Sequence, residues 1–164
     1  MRSNNFDALR MVGALLVVVG HGLLLTDAGR VPRIAGIPLH TLGLFIFFTI
    51  SGYLIAGSWQ RNPSLSAFLR NRALRLFPAL IVVVMVTVLL IGPLVTSLSS
   101  LEYVVHPQTR AYLANIVMIS QYELPGVFAE NPHSNAVNGV LWTLGLEFVC
   151  YLLTAVIGLF ARGR

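Results

Sequence analysis

Long apolar runs, separated by short polar clusters, dominate the chain. The first runs from about residue 8 to 26, and between Asp7 and Asp27 its only formal charge is Arg10. The second occupies about 38 to 58, within the uncharged stretch IAGIPLHTLGLFIFFTISGYLIAGSWQ of residues 34 to 60. The third, PALIVVVMVTVLLIGPLVTSL, starts at Pro78, a residue suited to the first turn of a helix, and ends near 97. The fourth, VNGVLWTLGLEFVCYLLTAVIGLFA, covers 137 to 161 and is interrupted by Glu147. A helix that crosses a bilayer needs ~20 predominantly apolar residues, and each run supplies them. The pattern predicts an all-α fold, a polytopic membrane helix bundle of about four transmembrane helices. RAYLANIVMIS, residues 110 to 120, is apolar but too short to cross, and predicts a short interfacial or re-entrant helix inside a long outer loop of about 98 to 136.

Composition agrees with that pattern. The 164 residues are 56% hydrophobic and 10% charged, against roughly 25% charged in a soluble domain, so too little polar surface exists to cover a water-soluble globule. All eleven basic residues are arginine, and the net charge is +5. In a soluble protein that balance suggests nucleic acid. Here the arginines bracket the apolar runs, so they read as topology signals facing a lipid bilayer, with no nucleic-acid partner expected. With four spans and a cytoplasmic N-terminus, the inner side holds Arg2, Arg10, Arg61, Arg70, Arg72, Arg75, Arg162 and Arg164, and the outer side holds Arg30, Arg33 and Arg110. This asymmetry fits the positive-inside rule, and a fifth span at 110 to 120 would weaken it. The first run is not read as a cleaved signal peptide, because LLLTDAGR offers no small-residue exit and His21 sits inside the run. The single cysteine, Cys150, makes neither an intrachain disulfide nor a cysteine-based metal site. The four histidines (21, 40, 106, 133) are scattered, so no metal is expected.

Ionisable side chains inside apolar runs are expensive and mark candidate chemistry. Arg10 and His21 are eleven residues apart, about 20° from a whole number of helical turns, so they share a face about 16 Å apart along the axis. That places Arg10 at the cytosolic mouth of a cavity and His21 near mid-depth. Asp7, three residues before Arg10, is placed to orient it. Glu147 lies about ten residues into the fourth run, ~15 Å down and again near the midplane. A carboxylate beside an imidazole fixes its tautomer and raises its basicity, which suits a general base. The competing reading is a structural His–Glu pair that joins helices. Gly20 and Gly22 flank His21, either for close helix packing or to leave room for a substrate.

Between the second and third runs lies RNPSLSAFLRNRALRLFP, with Arg72 and Arg75 three apart on one helical face. Arginine forks bind phosphate bidentately, so this cluster suits a phosphorylated donor; contact with anionic lipid is the alternative. The outer loop carries Tyr103, His106, Tyr112, Tyr122, LPGVF and ENPHSN, which suit either a sugar acceptor or an aromatic belt at the membrane surface.

NNFDALRMVGALLVVVGHG resembles the first helix of the acyltransferase 3 family, integral membrane O-acyltransferases and O-acetyltransferases of surface polysaccharides, in the spacing of Arg10 and His21. GLFIFFTISGYLI resembles the family's second helix through Phe47, Phe48, Ser51, Gly52 and Tyr53. FLRNRALRLFPAL resembles its arginine motif through Arg72, Arg75 and Pro78, and NGVLWTLGLEFVCYLL resembles its Trp-Thr-Leu-x-x-Glu helix through Trp142, Thr143 and Glu147. Val140 stands where the family usually has serine, which removes a hydroxyl near the site. The family's membrane domain is about twice as long, so residues 1 to 164 correspond to its N-terminal portion. The resemblance implies a truncated or split protein completed by C-terminal helices or by a homo-oligomer.

The resemblance implies an acyltransferase of the bacterial inner membrane. No bound cofactor is implied; acyl-CoA, as acetyl-CoA, is the co-substrate and docks on Arg72, Arg75 and Arg10. His21 serves as base or transient acyl carrier, supported by Glu147, with Asp7, Ser51, Trp142 and Thr143 around them. The acceptor is a hydroxyl of a carbohydrate, either on the cell surface or lipid-linked. Two further readings fit the same residues. One is a small proton-coupled membrane transporter, because buried Arg, His and Glu also make a proton relay. The other is a non-catalytic remnant of the acyltransferase.

Overall fold

A computed structural model describes residues 5–26, 30–131 and 135–162 of the chain. Arg2, Asp27, His133 and Arg164, and the side chain of Arg162, lie outside the described residues. Among the described residues, four helices are long and apolar enough to cross a membrane: Asn5–Leu25, Leu39–Arg61, Leu65–Val95 and Trp142–Ala161. The chain divides into two units, Met1–Arg61 and Asn62–Arg164.

The first unit is a helical hairpin. Helix α1 (Asn5–Leu25) leads to strands β1 (Arg33–Ile34) and β2 (Ile37–Pro38), and then to helix α2 (Leu39–Arg61). The strands pair antiparallel, with Ile34 opposite Ile37. Ala35 and Gly36 turn between them with φ of 50° and 81°, the doubly left-handed geometry that matches the twist of a tight hairpin. The two helices meet along small residues. At one end the Phe6 and Tyr53 rings lie 5.4 Å apart. Further along, a Cβ on Gly43 would fall 2.5 Å from the Gly13 carbonyl oxygen, and one on Gly20 would fall 2.7 Å from the His40 backbone nitrogen. Helices in lipid gain little from burying aliphatic side chains against each other, so backbones brought close by glycine supply the packing.

The second unit opens with helix α3 (Leu65–Val86), which runs without a break through a wide π-turn (Thr87–Ile91) into helix α4 (Gly92–Val95). The helix therefore begins thirteen residues before the expected start at Pro78, and Pro78 lies in its interior. LSAFLRNRALRLF is rich in Leu, Ala and Arg, all good helix formers, so the arginine segment is continuous with the spanning helix and keeps Arg72 and Arg75 one turn apart on it. An interior proline removes one backbone donor, which a long helix held by its neighbours tolerates.

The π-turn leaves a backbone group to account for. The Gly92 N–H bonds the Thr87 carbonyl, five residues back, and so does not reach Val88. The next residue is Pro93, which has no N–H to give. The Tyr103 hydroxyl donates to the Val88 carbonyl instead, at 3.0 Å. It gets there because Gly92 has no side chain: a Cβ would sit 1.9 Å from the Tyr103 oxygen. Burial also pushes the Tyr103 phenol up from its ordinary value, which keeps it a donor. Tyr103→Phe strands a buried carbonyl and is expected to cost about 1–3 kcal/mol, read as a lower unfolding midpoint of the detergent-solubilised protein. An unchanged midpoint would return the hydroxyl to a passive role.

The described residues between 98 and 131 hold more regular structure than a bare loop. They fold as helices α5 (Ser100–Val105) and α6 (Pro107–Tyr112) and a 3₁₀ turn (Leu113–Val117). Tyr103, Tyr112, Leu124 and Val127 bury against Leu80, Val84 and Val88 of the long helix, with Leu141. Ser99 and Glu102 close a capping box at the start of α5, and these hydrogen bonds hold the Glu102 carboxyl below its ordinary value. Buried Asn115 donates to the Tyr112 and Gln121 carbonyls and accepts from the Gln121 N–H. Helix α7 (Trp142–Arg162) starts five residues after the expected 137. Val137 is drawn into an extended pairing with Tyr122, and Asn138 and Gly139 turn the chain before the helix begins.

Candidate functional site

In the first unit, α1 presents Arg10, half-buried and 3.4 Å from the Asp7 carboxylate one turn earlier. Asp7 is exposed, so this pair orients Arg10 more than it stabilises the helix. His21 lies four residues from the end of α1, ~6 Å along the axis, closer to that end than the middle placement expected. Its imidazole stacks on a second imidazole, His40, with ring centroids 4.9 Å apart and planes 34° apart. His40 is the second residue of α2, and its Nδ1 is buried without a hydrogen-bond partner among the described residues.

Two of the four histidines that are scattered along the sequence therefore meet. The glycines beside His21 divide their roles. Gly20 is pressed against the His40 backbone, whereas a Cβ on Gly22 meets nothing within 4 Å. Packing explains the first and open space the second. Ser51 is half-buried on α2.

In the second unit, α3 and α7 bring a cation and an acid to the same tyrosine. The Arg72 guanidinium carbon lies 5.6 Å from the Phe68 ring centroid and 5.6 Å from the Tyr151 ring centroid. Guanidinium is weakly hydrated and planar, and it stacks on aromatic faces where an ammonium would not. The Tyr151 hydroxyl donates to a Glu147 carboxylate oxygen one turn away on α7. Phe148 packs edge-on against both Phe77 of α3 and Tyr151.

Tyr151 is 1% exposed, nine residues after Trp142 and eleven before Arg162, so this cluster sits level with the middle of α7. Arg72 thus meets the middle of a spanning helix, not its end. Arg75 is exposed one turn along α3, and Arg70 is exposed as well. Glu147 lies five residues into α7, ~8 Å from its start.

The remaining expected groups are used locally. Trp142 is exposed as the first residue of α7, and the Thr143 hydroxyl donates to the Val140 carbonyl three residues back, at 2.8 Å. His106 caps α6, its Nδ1 accepting from the Gln108 N–H at 3.2 Å. Tyr103 and Tyr112 are buried in the core and cannot form an acceptor surface, while Tyr122 remains exposed. The sequence pattern alone does not single out Tyr151 or His40. Tyr151 could have been found from its four-residue spacing to Glu147; His40 could not, because only the α1–α2 contact brings it to His21.

An all-α membrane protein with an arginine stacked on a tyrosine that holds a carboxylate inside a span defines the class. A family model described as an acyltransferase domain matches residues 3–164, and the chain belongs to that family, acyltransferase family 3. It is 38% identical over 156 residues to an "O-acetyl transferase" of Shigella phage Sf6, covering 94% of this chain and 46% of that protein. It is 33% identical over 159 residues to "Nodulation protein 10" of Rhizobium leguminosarum bv. viciae, covering 91% of this chain and 42% of that protein. The chain thus spans less than half the length of these relatives. No solved structure matches it.

Proposed function

We propose that this chain forms the donor-side part of an integral membrane O-acyltransferase. It moves an acetyl group from cytosolic acetyl-CoA to a hydroxyl of a cell-surface or lipid-linked carbohydrate. The observation that supports this most is the Arg72–Tyr151–Glu147 cluster inside α7's span, on residues belonging to an acyltransferase family. A fixed cation with a carboxylate nearby is costly in lipid and is retained where it serves a substrate. The relatives are more than twice this length.

Arg72 and Arg75, with Arg10, bind the donor's phosphates through their guanidinium forks. In the base role, His21 takes the proton of the acceptor hydroxyl as its oxygen attacks the thioester carbonyl. The carbon–oxygen bond forms, the carbon–sulfur bond breaks, and the proton passes to the departing thiolate. In the carrier role, an imidazole nitrogen attacks the thioester carbonyl, the carbon–sulfur bond breaks and the thiolate leaves with the ring's proton; the acceptor oxygen then attacks the acyl carbon, the carbon–nitrogen bond breaks, and the hydroxyl proton returns to the ring. Glu147 is the supporting carboxylate of the same transfer.

The test is incorporation of label from radiolabelled acetyl-CoA into polysaccharide, in membranes that hold the chain alone and with the C-terminal part of a longer relative supplied. Label in either preparation supports the reading. Its absence from both, with a well-inserted protein, sinks it, and proton uptake that follows an imposed pH gradient without acetyl-CoA favours the transporter reading. Arg72→Ala and Arg75→Ala are each expected to weaken acetyl-CoA binding about tenfold, the loss of one charge-assisted contact. Equilibrium binding to the purified protein checks this, and unchanged affinity in both variants returns the arginines to a topology role.

A further inference from the structure

We propose that Tyr151 is a positioning residue that couples donor binding to the acid: its ring flanks the Arg72 guanidinium and its hydroxyl holds the Glu147 carboxylate. This rests on the reading of Arg72 and Glu147 given above. Three observations carry it. Tyr151 is almost wholly buried, so its hydroxyl has no water to satisfy it and is committed to Glu147. Its ring lies 5.6 Å from the Arg72 guanidinium carbon, and the Phe68 ring lies at the same distance, so two rings pack on the cation. The two contacts use different parts of one side chain, and they join charges of opposite sign carried by α3 and by α7.

The arrangement has chemical consequences. A guanidinium packed on two rings loses freedom to swing, which narrows the directions from which a phosphate can be met. A phenol that donates to one carboxylate oxygen fixes the rotamer of Glu147 and leaves its second oxygen to meet an imidazole or a hydroxyl. Precise placement of such groups is worth far more to a rate than to an affinity. Tyr151 thus acts on the donor through its ring and on the transfer step through its hydroxyl.

Those two roles separate by substitution. Tyr151→Phe keeps the ring and removes one oxygen. It is expected to bind acetyl-CoA within about twofold of the unsubstituted protein and to transfer acetyl about tenfold more slowly, the loss of one hydrogen bond to a charged group. Tyr151→Leu removes the ring as well and is expected to weaken acetyl-CoA binding about fivefold. If Tyr151 acts through Glu147, Tyr151→Phe combined with Glu147→Gln transfers no more slowly than Glu147→Gln alone. Binding is measured by equilibrium dialysis against radiolabelled acetyl-CoA, and transfer by label incorporated into polysaccharide in the preparation that shows it.

Tyr151→Leu at full affinity, Tyr151→Phe at full rate, or additive losses in the double variant each overturn the inference. Should Tyr151→Leu fail to insert, Tyr151→Phe decides through its split between affinity and rate, because it preserves packing. Arg72→Ala is the control that separates the two levels. Unchanged acetyl-CoA affinity in that variant sinks the donor-site reading itself. Weakened affinity there beside full affinity in Tyr151→Leu sinks only the role of Tyr151.

Discussion

His21→Ala is expected to lower acetyl transfer about a thousandfold while leaving insertion into the membrane unchanged. Loss of a positioned base costs about 10²–10⁴ in rate, and loss of an acyl carrier would cost at least as much. Insertion survives because α1 remains a continuous apolar helix with glycine contacts that do not involve the imidazole. The neighbouring His40 cannot take over the role by moving into the vacated space, since its backbone is fixed against Gly20. Label incorporation from acetyl-CoA, normalised to inserted protein, is the measurement. Transfer in His21→Ala at the unsubstituted rate would falsify the assignment of His21 as base or carrier. Hydroxylamine-sensitive label on the unsubstituted protein, lost in His21→Ala, would identify the carrier role over the base role.

The largest stability effect is expected at Gly43. An added methyl would lie 2.5 Å from the Gly13 carbonyl oxygen and 2.8 Å from a Val17 methyl, and the backbone oxygen cannot swing aside as a side chain would. Gly43→Ala therefore forces α1 and α2 apart, at a cost of about 3 kcal/mol, the upper part of the range for overpacking. Gly20→Ala meets the His40 backbone at 2.7 Å and is expected to have nearly as large an effect. Gly22→Ala meets nothing and is expected to change stability by less than about 0.5 kcal/mol. Unfolding of the purified protein in mixed micelles against rising SDS ranks the three. Alanine is the better helix former, so a Gly22 variant as unstable as the Gly43 variant would mean that the close α1–α2 contact does not set the stability.

Much of the fold was legible because bilayer thickness imposes one length on every span and lipid allows few charges within it. Four runs gave four helices. What escaped was where each helix begins. Pro78 reads as a first-turn residue in isolation, yet the Leu-, Ala- and Arg-rich segment before it propagates helix from Leu65. At the other end, VNGVL is apolar enough to count toward a span, but Asn138 and Gly139 turn the chain and delay α7 to Trp142. The segment after the long helix was legible only in its apolar content, since the burial of Tyr103 and Tyr112 depends on contacts with the distant Leu80, Val84 and Val88.

The candidate site was partly legible for a related reason. Spacing within one helix can be counted, which is how Asp7, Arg10 and His21 fall on one face of α1. Contacts between helices cannot be counted that way, and the meetings of His21 with His40 and of Arg72 with Tyr151 are of that kind.

The wide turn at Thr87–Ile91 bears on how this protein can change in length. A bond that spans five residues where an α-helix spans four holds one surplus residue, and that residue rotates the remainder of the helix by about 100° against the α-helical phase. Loss of one residue between Val88 and Gly92 would let the bond from the Gly92 N–H to the Thr87 carbonyl persist as an ordinary α-helical one. Pro93 would still offer no donor to Val88, so that carbonyl would stay open to a hydroxyl. Insertions and deletions elsewhere in this long helix break hydrogen bonds or swing the Arg72 face away from α7. Here a lineage could drop a residue and keep the Gly92-to-Thr87 bond, and the cost of that change in length falls on the Tyr103 hydroxyl, because the same turn of about 100° carries Gly92 away from it.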